Sequence, residues 1–433
     1  MKKIILDSKK FYNSFKMLKG NTKTSVVCEP LFGIPFVLFS FYLSLYMKEL
    51  GVTDQQLGYI ISLGYIAGIF LSLISGAVTD RLGRKRTTLI FDIISWPLTL
   101  VIYLVSNSFA LFALATITNN FGKIVGVSWN LMIIEDADNE QRVSAFNILN
   151  IINISTGIII PLAGLLVNAY GVVISERVFL IYAAVSMGVM IIVRNRFYKE
   201  TSVGQRIIDE RKTNPATRIK LKNLLPFKST GVFKGNPKAV IAAVVYVLFF
   251  IYIPLGTFNS LFFAPFMTEV LGLEKSSISI LGGVYSGVML VIFVFLIPRI
   301  SKLNNTRNMQ LGFLIQAIML VLLILIPTGS MISAILCIGA YAAGFGLSRP
   351  FIDSMFAEIS EGDERAGIYS LINTINCILT ALIAFVSGSI YIFEPRLLYV
   401  MSVIILLSAI ILLSVYNRIN RKPIISQHMS KAD

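Results

Sequence analysis

Five ionisable residues fall inside otherwise apolar stretches of this sequence: Glu29, Asp92, Lys123, Arg349 and Asp353. Charge in hydrocarbon is costly, so such residues face a cavity or a partner and mark the path of a polar solute or an ion. Glu29, Asp92 and Asp353 can take up and release protons. A nearby Lys123 or Arg349 favours their charged form and burial favours the neutral one, which is how changing access would switch protonation. Lys123 lies near the middle of its stretch with Asn119 and Asn120 a turn away, which makes the trio a candidate substrate site. Asn147, Asn150 and Asn153 recur every three residues, and Ser370, Asn373 and Asn376 do the same further on, so each set lies on one helical face. Two such faces offer amide donors and acceptors to a polar solute; as packing glue alone, each bond is worth about 0.6 kcal/mol. Trp129, beside Asn130, is the aromatic residue best suited to stack on a ring.

Other chemistries lack their residues. The one histidine, His428, lies in a polar tail, and Cys28, Cys337 and Cys377 sit singly inside apolar runs, so neither a metal site nor a disulfide framework is expected. No Gly-x-x-x-x-Gly-Lys-Ser/Thr occurs, which leaves an ion gradient rather than ATP as the energy source. No nucleophile–base set is visible, so an enzyme is not expected, and neither is a cofactor.

The elements that must position these residues are membrane helices. With 433 residues, 55% hydrophobic and 14% charged, and a mean hydropathy of +0.77, the chain has too few charges to cover a soluble surface of its size. Stretches of about 20 apolar residues predict twelve spanning helices, near 25–47, 57–79, 87–105, 109–134, 143–169, 173–193, 237–267, 277–298, 308–327, 330–357, 366–390 and 397–417. The net charge of +15 could suggest nucleic acid, but the cations fall in short clusters between apolar runs and read as topology signals. With both termini inside, 32 of the 38 Lys and Arg lie in cytoplasmic segments and four (Lys48, Arg177, Lys275 and Arg396) in external loops. The first 23 residues carry seven lysines without an apolar core or cleavage site; they read as a basic tail or an interfacial helix using Ile4, Ile5, Phe11, Phe15 and Leu18, not a signal peptide.

These boundaries give a tail at 1–24, a six-helix bundle at 25–193, a basic cytoplasmic linker at 194–236, a second bundle at 237–417 and a tail at 418–433. An internal repeat supports the division. Met132, Glu135, Arg142, Asn150 and Asn153 recur as Met355, Glu358, Arg365, Asn373 and Asn376 at a constant offset of 223. The turn Asp80-Arg81-Leu82-Gly83-Arg84-Lys85-Arg86 has a degraded copy at Ser301-Lys302-Leu303-Asn304-Asn305-Thr306-Arg307. Two halves in the same sense make a parallel repeat.

Gly76, Asp80, Arg81, Gly83, Arg84, Lys85 and Arg86 resemble the signature between helices 2 and 3 of the major facilitator superfamily, with Val78 where Leu is commoner. The resemblance implies an all-α membrane protein of twelve helices in two pseudo-symmetric six-helix bundles. It further implies alternating access, with the motif as a cytoplasmic latch. In that role Asp80 accepts hydrogen bonds from helix N-terminal amides, and Arg84 or Arg81 pairs with a carboxylate across the bundle interface. The loops from Glu135 to Arg142 and from Glu358 to Arg365 supply further gate charges. Drug/proton exporters of the superfamily resemble one another in a Gly-Pro-x-x-Gly-Gly pattern on helix 5, of which this chain keeps only Pro161 and Gly164.

The expectation is a proton-coupled carrier of a small polar organic solute, sugar-like or anionic, working as a monomer in the cell membrane. Multidrug efflux is the alternative, and a transporter-like sensor without solute flux a further one. The candidate substrate residues are Lys123, Asn119, Asn120, Trp129, Asn150, Asn153, Arg349, Asn373 and Asn376. The candidate proton carriers are Glu29, Asp92 and Asp353.

Overall fold

Every backbone polar group in a bilayer needs an internal partner, and apolar runs of this length obtain theirs by coiling into helices. In the computed structural model, which describes residues 15–213, 233, 236–258, 260–300, 305–359 and 365–429, all regular structure is helical. The spanning helices are α1 (Gly20–Glu49), α2 (Asp54–Leu82), α3 (Arg84–Val105), α4 (Phe109–Ile134), α5 (140–170), α6 (172–197), α7 (Pro237–Gly256), α8 (Ile278–Leu296), α9 (Asn305–Leu325), α10 (Met331–Ile359), α11 (Arg365–Phe393) and α12 (Arg396–Met429). Helices α5 and α6 form one continuous run of 58 residues. As a single rod it would extend about 87 Å, against a hydrocarbon core of about 30 Å. Gly171, at φ 76° and ψ 172°, breaks it into two crossings.

Three departures from the predicted helices have local causes. Pro97 lacks an N–H and crowds the turn before it, and α3 answers with a π turn at Ile94–Leu98. Helix α4 is interrupted between Asn119 and Gly122, where the Asn120 amide turns back to donate to the Thr116 carbonyl at 2.9 Å. The seventh helix, expected to reach residue 267, ends at Gly256; Thr257 is extended, and a turn leads to a short helix at Phe263–Pro265 and a π turn at Phe266–Val270. Pro254, Gly256 and Pro265 account for that stop.

Two compact units emerge, residues 1–53 with 63–224, and residues 54–62 with 225–433. Inside each, the first helix packs along the last and also along the fifth: α1 on α6 and α5, and α7 on α12 and α11. The third and fourth helices also pair in both, as α3 with α4 and α9 with α10, so the sequence repeat recurs as a repeat of contacts. The beginning of α2 belongs by contact to the second unit, where a Cβ on Gly58 would meet the Ala384 carbonyl at 2.8 Å and Tyr59 stacks on Phe385 at 5.0 Å.

Leu18 does not face lipid. With Phe15 it joins a buried cluster of Val26, Ile133, Ala145, Ile148 and Leu149. Ile4, Ile5 and Phe11 of the expected interfacial helix lie outside the described residues, as do residues 214–232, 234 and 235 of the linker and residues 301–304.

Candidate functional site

The turn between α2 and α3 is held by more residues than its motif contains. Gly83 sits at φ 85°, a left-handed conformation natural to glycine, and a Cβ there would lie 2.6 Å from the Glu200 carboxylate. Glu200 accepts the backbone N–H groups of Arg84 at 2.8 Å and Lys85 at 3.0 Å, which caps α3 and offsets its dipole. Sequence reasoning gave that capping role to Asp80. With Glu200 in place, Asp80 instead accepts a hydrogen bond from Arg84 Nη1 at 2.9 Å, one turn away.

The Arg84 guanidinium is 3% exposed and forks onto Glu135, from Nε at 3.1–3.2 Å and from Nη2 at 2.9 Å. Thr201 also donates to Glu135, and Ser202 donates to Asp136 through its backbone N–H and its hydroxyl. The expected partner for Arg84 was a carboxylate across the bundle interface; the partners observed, Asp80 and Glu135, both belong to the first unit. Arg81 and Arg142 are exposed, and a Cβ on the exposed Gly76 would meet nothing within 4 Å. Asp138, in the same acidic loop, caps α5 by accepting the Gln141 backbone N–H at 2.8 Å, and this bond holds its carboxyl below the usual range.

Deeper in the first unit, three charged side chains meet. Arg194 Nη2 lies 3.4 Å from Glu29 Oε2, and its Nη1 lies 3.7 Å from Asp92 Oδ2. Arg194 is 5% exposed, Glu29 4% and Asp92 1%, so all are withdrawn from solvent. Asn153 hydrogen-bonds Glu29. The Arg194 guanidinium also sits 5.6 Å from the centroid of the Trp129 ring. The three border a cavity of about 190 Å³ with Phe32, Trp96, Trp129 and the small residues Gly122 and Gly126. The π turn of α3 begins two residues after Asp92 and carries Trp96, which packs edge-on against Phe32 at 4.7 Å.

Arg194 escaped sequence reasoning because it was assigned to the basic linker. The signal was nonetheless present: Met187, Met190, Ile191 and Arg194 continue the three-and-four spacing of one helical face, and all are buried. Glu176, inside the predicted helix 173–193, was not singled out among the ionisable residues of apolar stretches. It lies on the same kind of face with Val172, Phe179 and Leu180, is 0% exposed, and neither carboxylate oxygen has a hydrogen-bond partner.

The Lys123 group separates from this cavity. Lys123 is exposed, with its side chain beside Gly68. Asn119 and Asn120 are committed to backbone carbonyls, Asn119 to Ser95 at 3.1 Å and Asn120 to Thr116, so they serve the kinks of α3 and α4. Asn147, Asn150 and Asn153 are exposed together along α5.

Among the described residues of the second unit, the buried polar groups are neutral. Gln316 is 0% exposed; its Oε1 accepts from the Tyr252 hydroxyl, and its Nε2 donates to Gly312 O and Ser348 Oγ, each at 3.0 Å. Gly312 and Gly344 admit this network by letting α9 and α10 approach: a Cβ on either would lie 2.6–2.7 Å from the other's carbonyl. Arg349, a candidate for substrate, pairs with Asp353, a candidate for protons, at 3.0 Å and lies over the rings of Phe250 and Phe249 at 4.7 and 5.6 Å. Asn376 is 7% exposed and its Oδ1 is unpartnered. The side chains of Glu358, Arg365 and Asn373 lie outside the described residues.

The fold has many solved counterparts. The nucleoside transporter NupG superposes with a TM-score of 0.67 at 15% identity, covering 93% of this chain and 100% of its own. A D-xylose–proton symporter gives 0.67 at 15%, covering 90% and 96%. A bacterial homologue of the iron transporter ferroportin, in an inward-facing state, gives 0.68 at 14%, covering 92% and 98%. No curated protein matches by sequence. The model of the Major Facilitator Superfamily matches residues 31–351, which include the Gly76–Arg86 turn and, of the charged cavity, Asp92, Trp129 and Arg194 but not Glu29. By that match the chain belongs to the major facilitator superfamily, and it is a non-enzymatic, multi-pass membrane protein that transports a small solute.

Proposed function

We propose that the chain is a proton-coupled carrier of a small, uncharged polar organic solute, resident in the cell membrane with both termini in the cytoplasm. The observation that carries this reading is the set of Glu29, Asp92 and Arg194 around one cavity. Two carboxylates facing one guanidinium leave a surplus negative charge in a medium where an unbalanced charge costs several kcal/mol, about 3 by insertion scales. A proton supplies the balance, so loading and unloading the site carries a proton with it. The same surplus disfavours an anionic solute and supports the uncharged alternative, a sugar-like solute or one of similar polarity. The D-xylose–proton symporter of the same fold couples such a solute to protons.

In this reading the Arg84–Glu135–Glu200 network is the cytoplasmic latch, and the exposed asparagines of α5 with Lys123 meet the solute during passage. Uptake into proteoliposomes under an imposed pH gradient tests the proposal. Gradient-driven accumulation should vanish in Glu29→Gln while exchange without a gradient continues, and it should vanish in Asp92→Asn as well. Accumulation indifferent to the pH gradient, or surviving in both variants, would overturn it.

A further inference from the structure

Asp92, Trp129 and Arg194, which border the charged cavity, each carry one buried polar atom without a hydrogen-bond partner: Asp92 Oδ1, Trp129 Nε1 and Arg194 Nε. They are one acceptor and two donors, on three different helices, α3, α4 and α6. Buried polar atoms are rarely left unpaired, and here the missing partners belong in a single space. The other walls are aromatic, from Phe32, Trp96 and the Trp129 ring. We propose that this cavity is a subsite for a flat, uncharged solute that carries a hydrogen-bond donor beside an acceptor on one edge, as the amide-like edge of a nitrogen heterocycle does.

The proposal rests on the carrier reading above, in which a proton balances the second carboxylate, so that the solute needs no charge of its own. The donor edge of the solute meets Asp92 Oδ1, and its acceptor meets Trp129 Nε1 and Arg194 Nε. Its faces lie against rings, whose flat, polarisable surfaces favour another ring. A non-planar polyol presents a hydroxyl on nearly every carbon. Three uncommitted atoms would leave most of those hydroxyls unpaired against aromatic walls. An organic cation suits the rings but would share the space with Arg194, whose positive charge lines the same cavity.

The sequence contains only two tryptophans, Trp96 and Trp129, and both line this cavity. Intrinsic fluorescence of the full-length chain therefore reports on occupancy without a label. Purified protein in nanodiscs, with no pH gradient, is titrated with uracil and nicotinamide as flat donor–acceptor probes, xylose as a polyol and tetraphenylphosphonium as an organic cation. A saturable quench by a flat heterocycle, at least tenfold tighter than by xylose or the cation, is the expected result. In Trp96→Phe the remaining signal from Trp129 should still saturate, and in Asp92→Asn the dissociation constant should rise tenfold or more. Saturation by xylose or the cation with silent heterocycles would overturn the proposal, as would unchanged heterocycle affinity in a folded Asp92→Asn protein. Binding of heterocycles without pH-driven accumulation would refute the coupling and leave the subsite standing. Coupled uptake of a polyol alone would do the reverse.

Discussion

Arg194 in the first unit and Gln316 in the second are both withdrawn from solvent, yet their surroundings differ in kind. Arg194 lies between Glu29 and Asp92 and leaves a surplus of charge. Gln316 has only neutral partners, Tyr252, Ser348 and a backbone carbonyl, and uses both ends of its amide. Tyr252 follows Glu29 by 223 residues, the offset that relates Glu135 to Glu358, so a hydroxyl in one half stands where the other has a carboxylate. Two cation–carboxylate pairs of the second unit are both partly exposed, Arg349 with Asp353 at 32% and 48% and Arg396 with Glu394 at 44% and 42%. Halves that repeat in their helix pairing have thus diverged in their polar interiors. One side holds an ionic cluster, and the other a neutral hydrogen-bonded one.

Substitutions can break this contrast. Arg194→Leu should have the largest effect, because it strands two buried carboxylates; we expect a loss of about 3–5 kcal/mol in thermal or denaturant unfolding and loss of transport. If Arg194→Leu costs no more than a neutral substitution in the other unit, the ionic description of the first unit is wrong. Gln316→Leu is that neutral comparison: Tyr252 and Ser348 each lose one partner and keep another, Tyr341 and the Phe345 carbonyl, so about 1–3 kcal/mol should be lost, with pH-driven transport altered only in proportion to folded protein. Glu200→Ala removes the cap of α3 and should cost about 0.5–2 kcal/mol, read as a lower melting temperature and faster proteolysis near Arg84. Asp353→Asn, in the half-exposed pair, should shift stability by about 0–1 kcal/mol. A larger change at Asp353 than at Gln316 would reverse the assignment of roles.

The helices, their number and the repeat were readable from sequence because bilayer thickness and cation placement constrain them directly. Gly83 and Gly171 fell between predicted helices, whereas Pro97 lies inside the predicted helix 87–105, and only the structure reveals that it becomes a π turn and sets Trp96 beside Asp92. The charged cavity was half legible. Glu29, Asp92 and Trp129 stood out as polar or aromatic residues in apolar runs, but their common partner Arg194 did not, since a cation at the end of a helix looks like a topology signal. Asn119 and Asn120 show the opposite failure: side chains suited to a solute serve the backbone, at kinks that a hydropathy pattern does not reveal.

The segment after α6 decides where the chain can be divided. Tyr198 meets Ser25 at 2.6 Å, the Lys199 backbone exchanges two hydrogen bonds with the Asn21 side chain, and Glu200 caps α3, so a few consecutive residues fasten the end of α6 to the starts of α1 and α3. All these bonds lie before Thr213. A gene split after that position would give an amino-terminal fragment carrying its complete clasp, ready to be co-expressed with the other half as two separate polypeptides.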